Sequence, residues 1–133
     1  MKEITPYLMF NGNCRDAMTF YQKTFGGELT ITTYGETEPK TAPEHKNEVI
    51  HGMLVNGATV IMASDTMPGE RINPGNDVWL TLACDNPAEV DTVYAVLVAQ
   101  GTPNQPPHDA FWGDRFAMVT DRFGVRWMLD AKL

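Results

Sequence analysis

A chain of 133 residues, 43% hydrophobic and 20% charged, has the length and make-up of one globular domain that buries a core without metal or disulfide staples. Its net charge of −7, with no run of Lys or Arg, argues against nucleic acid and anionic membrane as partners, since both need concentrated positive surface. The opening Met1-Lys2-Glu3-Ile4-Thr5-Pro6 lacks a signal-peptide segment and no run reaches transmembrane length; Cys14 and Cys84 show no metal-ligand spacing, so a reduced, cytoplasmic protein is expected.

In chain order, Thr5 to Phe10 is a short apolar strand closed by Asn11-Gly12-Asn13. A helix follows, with Asn13 as N-cap and Asp16 three residues on, the acidic form of a capping box. Ala17, Phe20, Tyr21, Thr24 and Phe25 share its apolar face, and Gly26-Gly27 stops it. Glu28 to Tyr34, rich in Thr and Ile, alternates as a strand does. Gly35 to Asn47 holds two Pro and no periodicity and reads as a loop. Glu48 to Val55 and Ala58 to Ser64 are strands joined by Asn56-Gly57, a strong hairpin signal. Asp65 to Asn76 is an internal linker.

Then the order repeats. Val78 to Cys84 is a strand, and Asn86-Pro87-Ala88-Glu89 is a complete helix start: cap, Pro at the first position, acid at the third. Val90, Val93, Tyr94, Leu97 and Val98 form the buried stripe, and Gly101 ends the helix. Thr102 to Pro107, laden with proline, is an edge strand or an extended loop. Phe111 to Asp130 is a hairpin around Thr120-Asp121-Arg122-Phe123-Gly124, in which Gly124 supplies a positive φ. It carries two of the three Trp and three of the six Phe, which places it in the middle of a sheet.

The chain is therefore a weak internal repeat, module one at about 1–66 and module two at about 76–133. The first strand and helix map onto their copies at a shift of 73, Tyr21 onto Tyr94; the hairpins map at 65, Met53 onto Met118 and Asp65 onto Asp130. Two βαβββ modules, each too small to bury a core alone, predict an α+β fold: curved mixed sheets around a central cleft, helices outside, with the ligand in the cleft.

Five stretches resemble the PhnB-like branch of the vicinal oxygen chelate superfamily, which includes glyoxalase I, bleomycin-resistance proteins and extradiol dioxygenases. They are Pro6-Tyr7-Leu8-Met9-Phe10, Ala17-Met18-Thr19-Phe20-Tyr21, Phe25-Gly26-Gly27, Phe111-Trp112-Gly113-Asp114-Arg115-Phe116 and Asp121-Arg122-Phe123-Gly124-Val125-Arg126-Trp127. The resemblance spans essentially the whole chain as a single domain, 1–133, and implies a homodimer. Metal-using relatives place ligands on the first and last strands of each module. Transferred here, those positions fall on Pro6 and Trp79, and on Met128 and Ala63 (Met62 if the register slips by one). None suits a divalent first-row metal, so no metal and no other cofactor is expected. Branch members are often labelled demethylubiquinone methyltransferase-like. The residues reject that label, because no glycine-rich strand-to-helix loop is present to hold S-adenosylmethionine.

Other metal or nucleophile sites are weakly signalled. Glu48 and His51, three apart on a strand, point to opposite faces. His45 reads as a solvated loop residue and His108, beside Asp109 and Phe111-Trp112, as a rim residue; Cys14 and Cys84 read as inert thiols. His51 faces the same way as Met53 and Val55, either as a hydrogen-bonded core histidine, the favoured reading, or as a polar cleft residue. Pro6, Leu8 and Phe10 share one face, and Trp79, Thr81 and Ala83 the matching one; Arg126 shares the face of Met128, as the cleft's cation or as a partner for Asp114. The candidate ligand-binding set is Phe10, His51, Trp79, Phe111, Trp112, Arg126 and Met128. Two functions fit: a metal-free module binding a small organic molecule, or a superfamily enzyme (lyase, isomerase or oxygenase) acting on one.

Overall fold

The computed structural model describes residues 1–133, which form two compact units, Met1–Asn73 and Pro74–Leu133. Each unit is a four-stranded mixed sheet with one 12-residue helix, and together they make an α+β fold of repeated βαβββ modules. No helix is long and apolar enough to cross a membrane.

The first unit runs β1 (Tyr7–Phe10), α1 (Cys14–Phe25), β2 (Glu28–Thr33), α2 (Tyr34–Thr37), a 3-10 turn (Pro43–His45), β3 (Val49–Asn56) and β4 (Thr59–Asp65). Its sheet order is β1-β4-β3-β2, with β1 parallel to β4 and the other pairs antiparallel. Alternation on each strand sends one set of side chains toward α1. Phe10, Leu54, Ile61 and Ala63 bury there against Cys14, Ala17, Met18 and Tyr21 of the helix. Each large side chain in this layer contributes roughly 1.5–3 kcal/mol relative to exposure. Gly27 (φ +99) crosses against the Val55 carbonyl, where a Cβ would clash.

The start of α1 differs from the expected capping box. Asn13 makes no side-chain cap bond, and Asp16 is exposed. The cap comes from β4: Asp65 Oδ1 accepts from the Gly12 and Cys14 amides at 2.9 Å each, and Oδ2 accepts from Val49 N at 2.8 Å. A carboxylate that takes three amides at 1% exposure is a stronger acceptor than a solvated asparagine, and it ties helix, β3 and β4 together. The segment after β2 also departs from the expected loop. Thr33 and Glu36 form a reciprocal capping box that starts the one-turn α2, and Pro43 opens the 3-10 turn.

The second unit runs β5 (Leu80–Ala83), α3 (Pro87–Val98), β6 (Thr102–Asp109), β7 (Asp114–Thr120) and β8 (Arg126–Lys132), in the order β5-β8-β7-β6. The β7–β8 hairpin is central and β6 is the edge, with Gly124 at φ +87 in the turn. Here Asn86 does cap its helix, accepting from Glu89 N at 2.9 Å. Val90 and Leu97 of α3 bury with Ala117, Val119, Trp127, Leu129 and Ala131. Asp121, 3% exposed, organises the turn by accepting from Phe123 N, Val125 N and Trp127 Nε1.

The helices keep the expected shift of 73, which lays α1 on α3 and Tyr21 on Tyr94, but the first and last strands of the repeat are one residue off the expected register. Tyr7 pairs with Met62 in the first unit, and Thr81 pairs with Met128 in the second. The side-chain faces match when Leu8 is laid on Leu82, a shift of 74, and Met62 on Met128, a shift of 66; Met53 still falls on Met118. Asp65 therefore corresponds to Ala131, and Pro6, Leu8 and Phe10 share the helix-facing side with Leu80 and Leu82. The matching of their face with that of Trp79, Thr81 and Ala83 is corrected, because a slip of one residue exchanges the two faces of a strand.

Candidate functional site

The face of each sheet turned away from its helix (the far face) carries side chains that the core does not need. In the first unit, one row across the strands is Tyr7, Met62, Met53 and Thr30, and the next contains Met9 beside Ser64 and His51 beside Thr32. In the second unit the corresponding rows are Thr81, Met128, Met118 and Gln105, then Ala83, Asp130, Phe116 and His108. A cross-strand methionine pair, Met53 with Met62 and Met118 with Met128, thus sits at the centre of both far faces.

The first far face has one polar anchor. Tyr7 reaches across β4 so that its hydroxyl lies 3.1 Å from His51 Nδ1, with the rings 5.8 Å apart and tilted by 35°. His51 is half-buried on the side of Met53, away from α1, so it is not part of the core packed under the helix. Ser64 donates to the Met9 sulfur at 3.2 Å. Phe10 is elsewhere: at 2% exposure it lies under α1 in the core, and its place among candidate ligand residues is corrected. The cause is the same one-residue slip, which gives the far face to Tyr7 and Met9 instead.

In the second unit, Met128 lies at the centre of the far face. Trp79 precedes β5, half-buried, with its indole donating to Asn76 O at 3.0 Å. Arg126 neither stands free nor pairs with Asp114. Its guanidinium donates to the Val78 carbonyl at 2.8 Å, to Pro74 O at 2.9 Å and to Gly75 O, clamping the segment that leads into β5. Three carbonyls satisfy its fork in one direction, which a lone carboxylate at the rim does not. Phe111 and Trp112 form the β6–β7 turn. Phe111 is 97% exposed and meets Trp112 edge-on; Trp112 in turn meets Phe116, which His108 flanks.

A cavity of about 340 Å³, also in the first unit, is lined by polar residues that include His45, Glu48 and Arg71 and by the apolar Met67 and Pro68. His45 is not simply solvated: its Nδ1 lies 2.8 Å from Glu48 Oε1, and that hydrogen bond holds the imidazole pKa above its ordinary value. The 3-10 turn brings the i,i+3 pair together, with Glu48 N donating to His45 O. Pro43 two residues ahead of an H-x-x-E spacing was the available sequence signal.

The central far-face positions of the first and last strands offer a divalent first-row metal no imidazole, carboxylate or thiolate. The first- and last-strand residues on the far faces are Tyr7 with Met62 and Thr81 with Met128, a phenol, two thioethers and a hydroxyl. Of the nearby carboxylates, Glu48 is engaged with His45, Asp65 with three amides and Asp109 with Arg115 at 3.0 Å, while Asp130 lies on the far face of the second unit in the row of Phe116 and His108. No group of three or more His, Cys, Asp or Glu is placed to hold an ion. Burial, then the charge of Asp65, pushes Cys14 up to about 12, and burial followed by Glu89 pushes Cys84 up to about 12.

Residues 2–129 match the family described as 3-demethylubiquinone-9 3-methyltransferase. Protein PA1353 from Pseudomonas aeruginosa superposes with a TM-score of 0.90 at 35% identity, over 99% of this chain and 98% of that one. Protein YjdN of Escherichia coli is 32% identical across 96% of this chain and 93% of its own length. A PhnB protein from Bacillus cereus follows at 26% identity and a TM-score of 0.72, covering 98% and 99%. At 19% identity, a glyoxalase/bleomycin resistance protein/dioxygenase family enzyme from Burkholderia phytofirmans shares the fold, with a TM-score of 0.66 over 96% and 97% of the two chains.

Proposed function

Because this chain belongs to the 3-demethylubiquinone-9 3-methyltransferase family, the PhnB-like branch of the vicinal oxygen chelate superfamily, we propose that it binds a small, largely apolar organic molecule without a divalent metal. The observation that carries this reading is the repeated methionine pair at the centre of the far faces, Met53 with Met62 and Met118 with Met128. Thioether side chains are flexible and polarizable and adapt to ligands of varied shape. Within the first unit the Tyr7–His51 anchor adds a directional hydrogen bond beside its methionine pair, and within the second Phe116 adds an aromatic surface beside its own.

Methyl transfer is left out of the proposal. In the loop between β1 and α1 the Gly12 and Cys14 amides are taken by Asp65, so they do not turn outward toward a methyl donor. A catalytic role for the same face is the second reading, favoured by one observation: His51 is hydrogen-bonded to a phenol and is a suitable acid–base group for metal-free proton transfer.

The test is elemental analysis of purified protein together with a thermal-shift screen of small aromatic and aliphatic compounds. Less than about one-tenth of an equivalent of Ni, Zn, Fe or Mn, with ligand-induced stabilisation that survives chelator, is the expected result. About one equivalent of metal per chain, or stabilisation abolished by chelator, refutes the metal-free reading.

A further inference from the structure

We infer that Tyr7 and His51 act as one hydrogen-bond donor unit that selects ligands bearing a neutral carbonyl oxygen; the inference rests on the far-face binding proposed above. A neutral phenol and a neutral imidazole hold two exchangeable protons between them. Their mutual bond, 3.1 Å from Tyr7 Oη to His51 Nδ1, uses one. If the phenol donates, the remaining proton is on His51 Nε2; if the imidazole donates, the remaining proton is on the Tyr7 hydroxyl. Either tautomer therefore presents one N–H or O–H donor from the pair.

The neighbours decide what that donor meets. Next to the pair on the sheet stand Met62, Met53 and Met9, with Thr30 and Thr32 beyond on β2. The Ser64 hydroxyl already donates to the Met9 sulfur, and the further hydroxyls of this face are those of Thr32, opposite His51, and Thr30, both on β2. No Lys or Arg occupies a position on these rows, so a carboxylate or phosphate would lie on an apolar face with no cation to offset its lost hydration. A carbonyl compound with an apolar body satisfies the donor and buries its remainder on the thioethers. Tyr7 is 45% exposed, so the phenol is reachable from solvent.

The experiment uses the full chain with ¹³C-methyl methionine labelling and a matched pair of probes, acetophenone and α-methylstyrene. The second replaces the carbonyl oxygen by a methylene group of similar shape. Acetophenone is expected to shift the Met53 and Met62 methyl resonances and to bind about tenfold more tightly than α-methylstyrene, the size of one net hydrogen bond. In the double variant Tyr7→Phe with His51→Leu, which removes both donors, the two probes should bind alike with the methyl shifts retained, whereas each single variant keeps one N–H or O–H donor and so keeps the preference for acetophenone. The retained Met53 and Met62 shifts guard against a folding defect in the double variant, and loss of the preference in Tyr7→Phe alone contradicts a donor shared between the two side chains. Equal binding of both probes by the unsubstituted protein, with Met53 and Met62 still shifting, overturns the donor unit and leaves the far-face reading standing. No shift at any far-face methionine overturns both.

Discussion

Trp127 and Trp79 provide the sharpest test of which side of the second sheet is core. Trp127 is 3% exposed and lies beside Leu80 and Val119 in the sheet register, and its indole donates to Asp121 Oδ2 at 2.9 Å. Trp127→Ala opens a void between α3 and the sheet, costing about 3–5 kcal/mol. The Asp121 carboxylate also loses this donor, which adds about 1 kcal/mol or more at a buried site. A total of about 4–6 kcal/mol is a large part of the ~5–15 kcal/mol by which such domains are stable. Trp79 is half-buried before β5, and its indole bonds an exposed Asn76 carbonyl. Trp79→Ala should cost only about 1–2 kcal/mol, the transfer energy of the area it hides. Trp127→Phe, which keeps most of the packing and loses the N–H, should fall between them. Urea unfolding followed by far-ultraviolet circular dichroism, which does not depend on the indoles removed, measures all three. Equal losses for the two alanine variants, or a larger loss at Trp79, would refute the assignment of faces.

Asp65→Asn replaces one of two accepting oxygens by a donor that must face a backbone amide, so a loss of about 2–4 kcal/mol is expected in urea, while Asn13→Ala, at the cap position that bonds nothing, should lose under about 0.5 kcal/mol. For His45 the folded pKa is raised by Glu48, so the pair's contribution is full below the ordinary histidine value of 6.5 and is lost as pH rises through the raised one. The stability difference between the native protein and Glu48→Gln, followed from pH 5 to pH 9, should shrink toward zero across that window; a difference that grows with pH contradicts the ion pair. The homodimer implied by the resemblance predicts a mass near twice 14.8 kDa by light scattering at micromolar concentration, and a mass of one chain would dismiss it.

The sequence by itself determined the elements and their repetition. Asn86-Pro87-Ala88-Glu89 starts α3 because cap, proline and acid act within one turn, and Gly124 closes the last hairpin because its φ is a local requirement. Trp127 was legible as core from the alternation of β8 alone. The tertiary structure decided whatever depended on contacts distant in sequence. The carboxylate that caps α1 comes from Asp65, some fifty residues downstream, so Asn13 and Asp16 looked sufficient by local spacing. Arg126 was visible as a cation, but three carbonyls of the preceding segment set its direction. Phe10 and Tyr7 exchanged roles because pairing fixes the strand register, and a slip of one residue turns every side chain over. That register put Tyr7 within reach of His51, 44 residues away, and no spacing along the chain encodes a hydrogen bond made across an intervening strand.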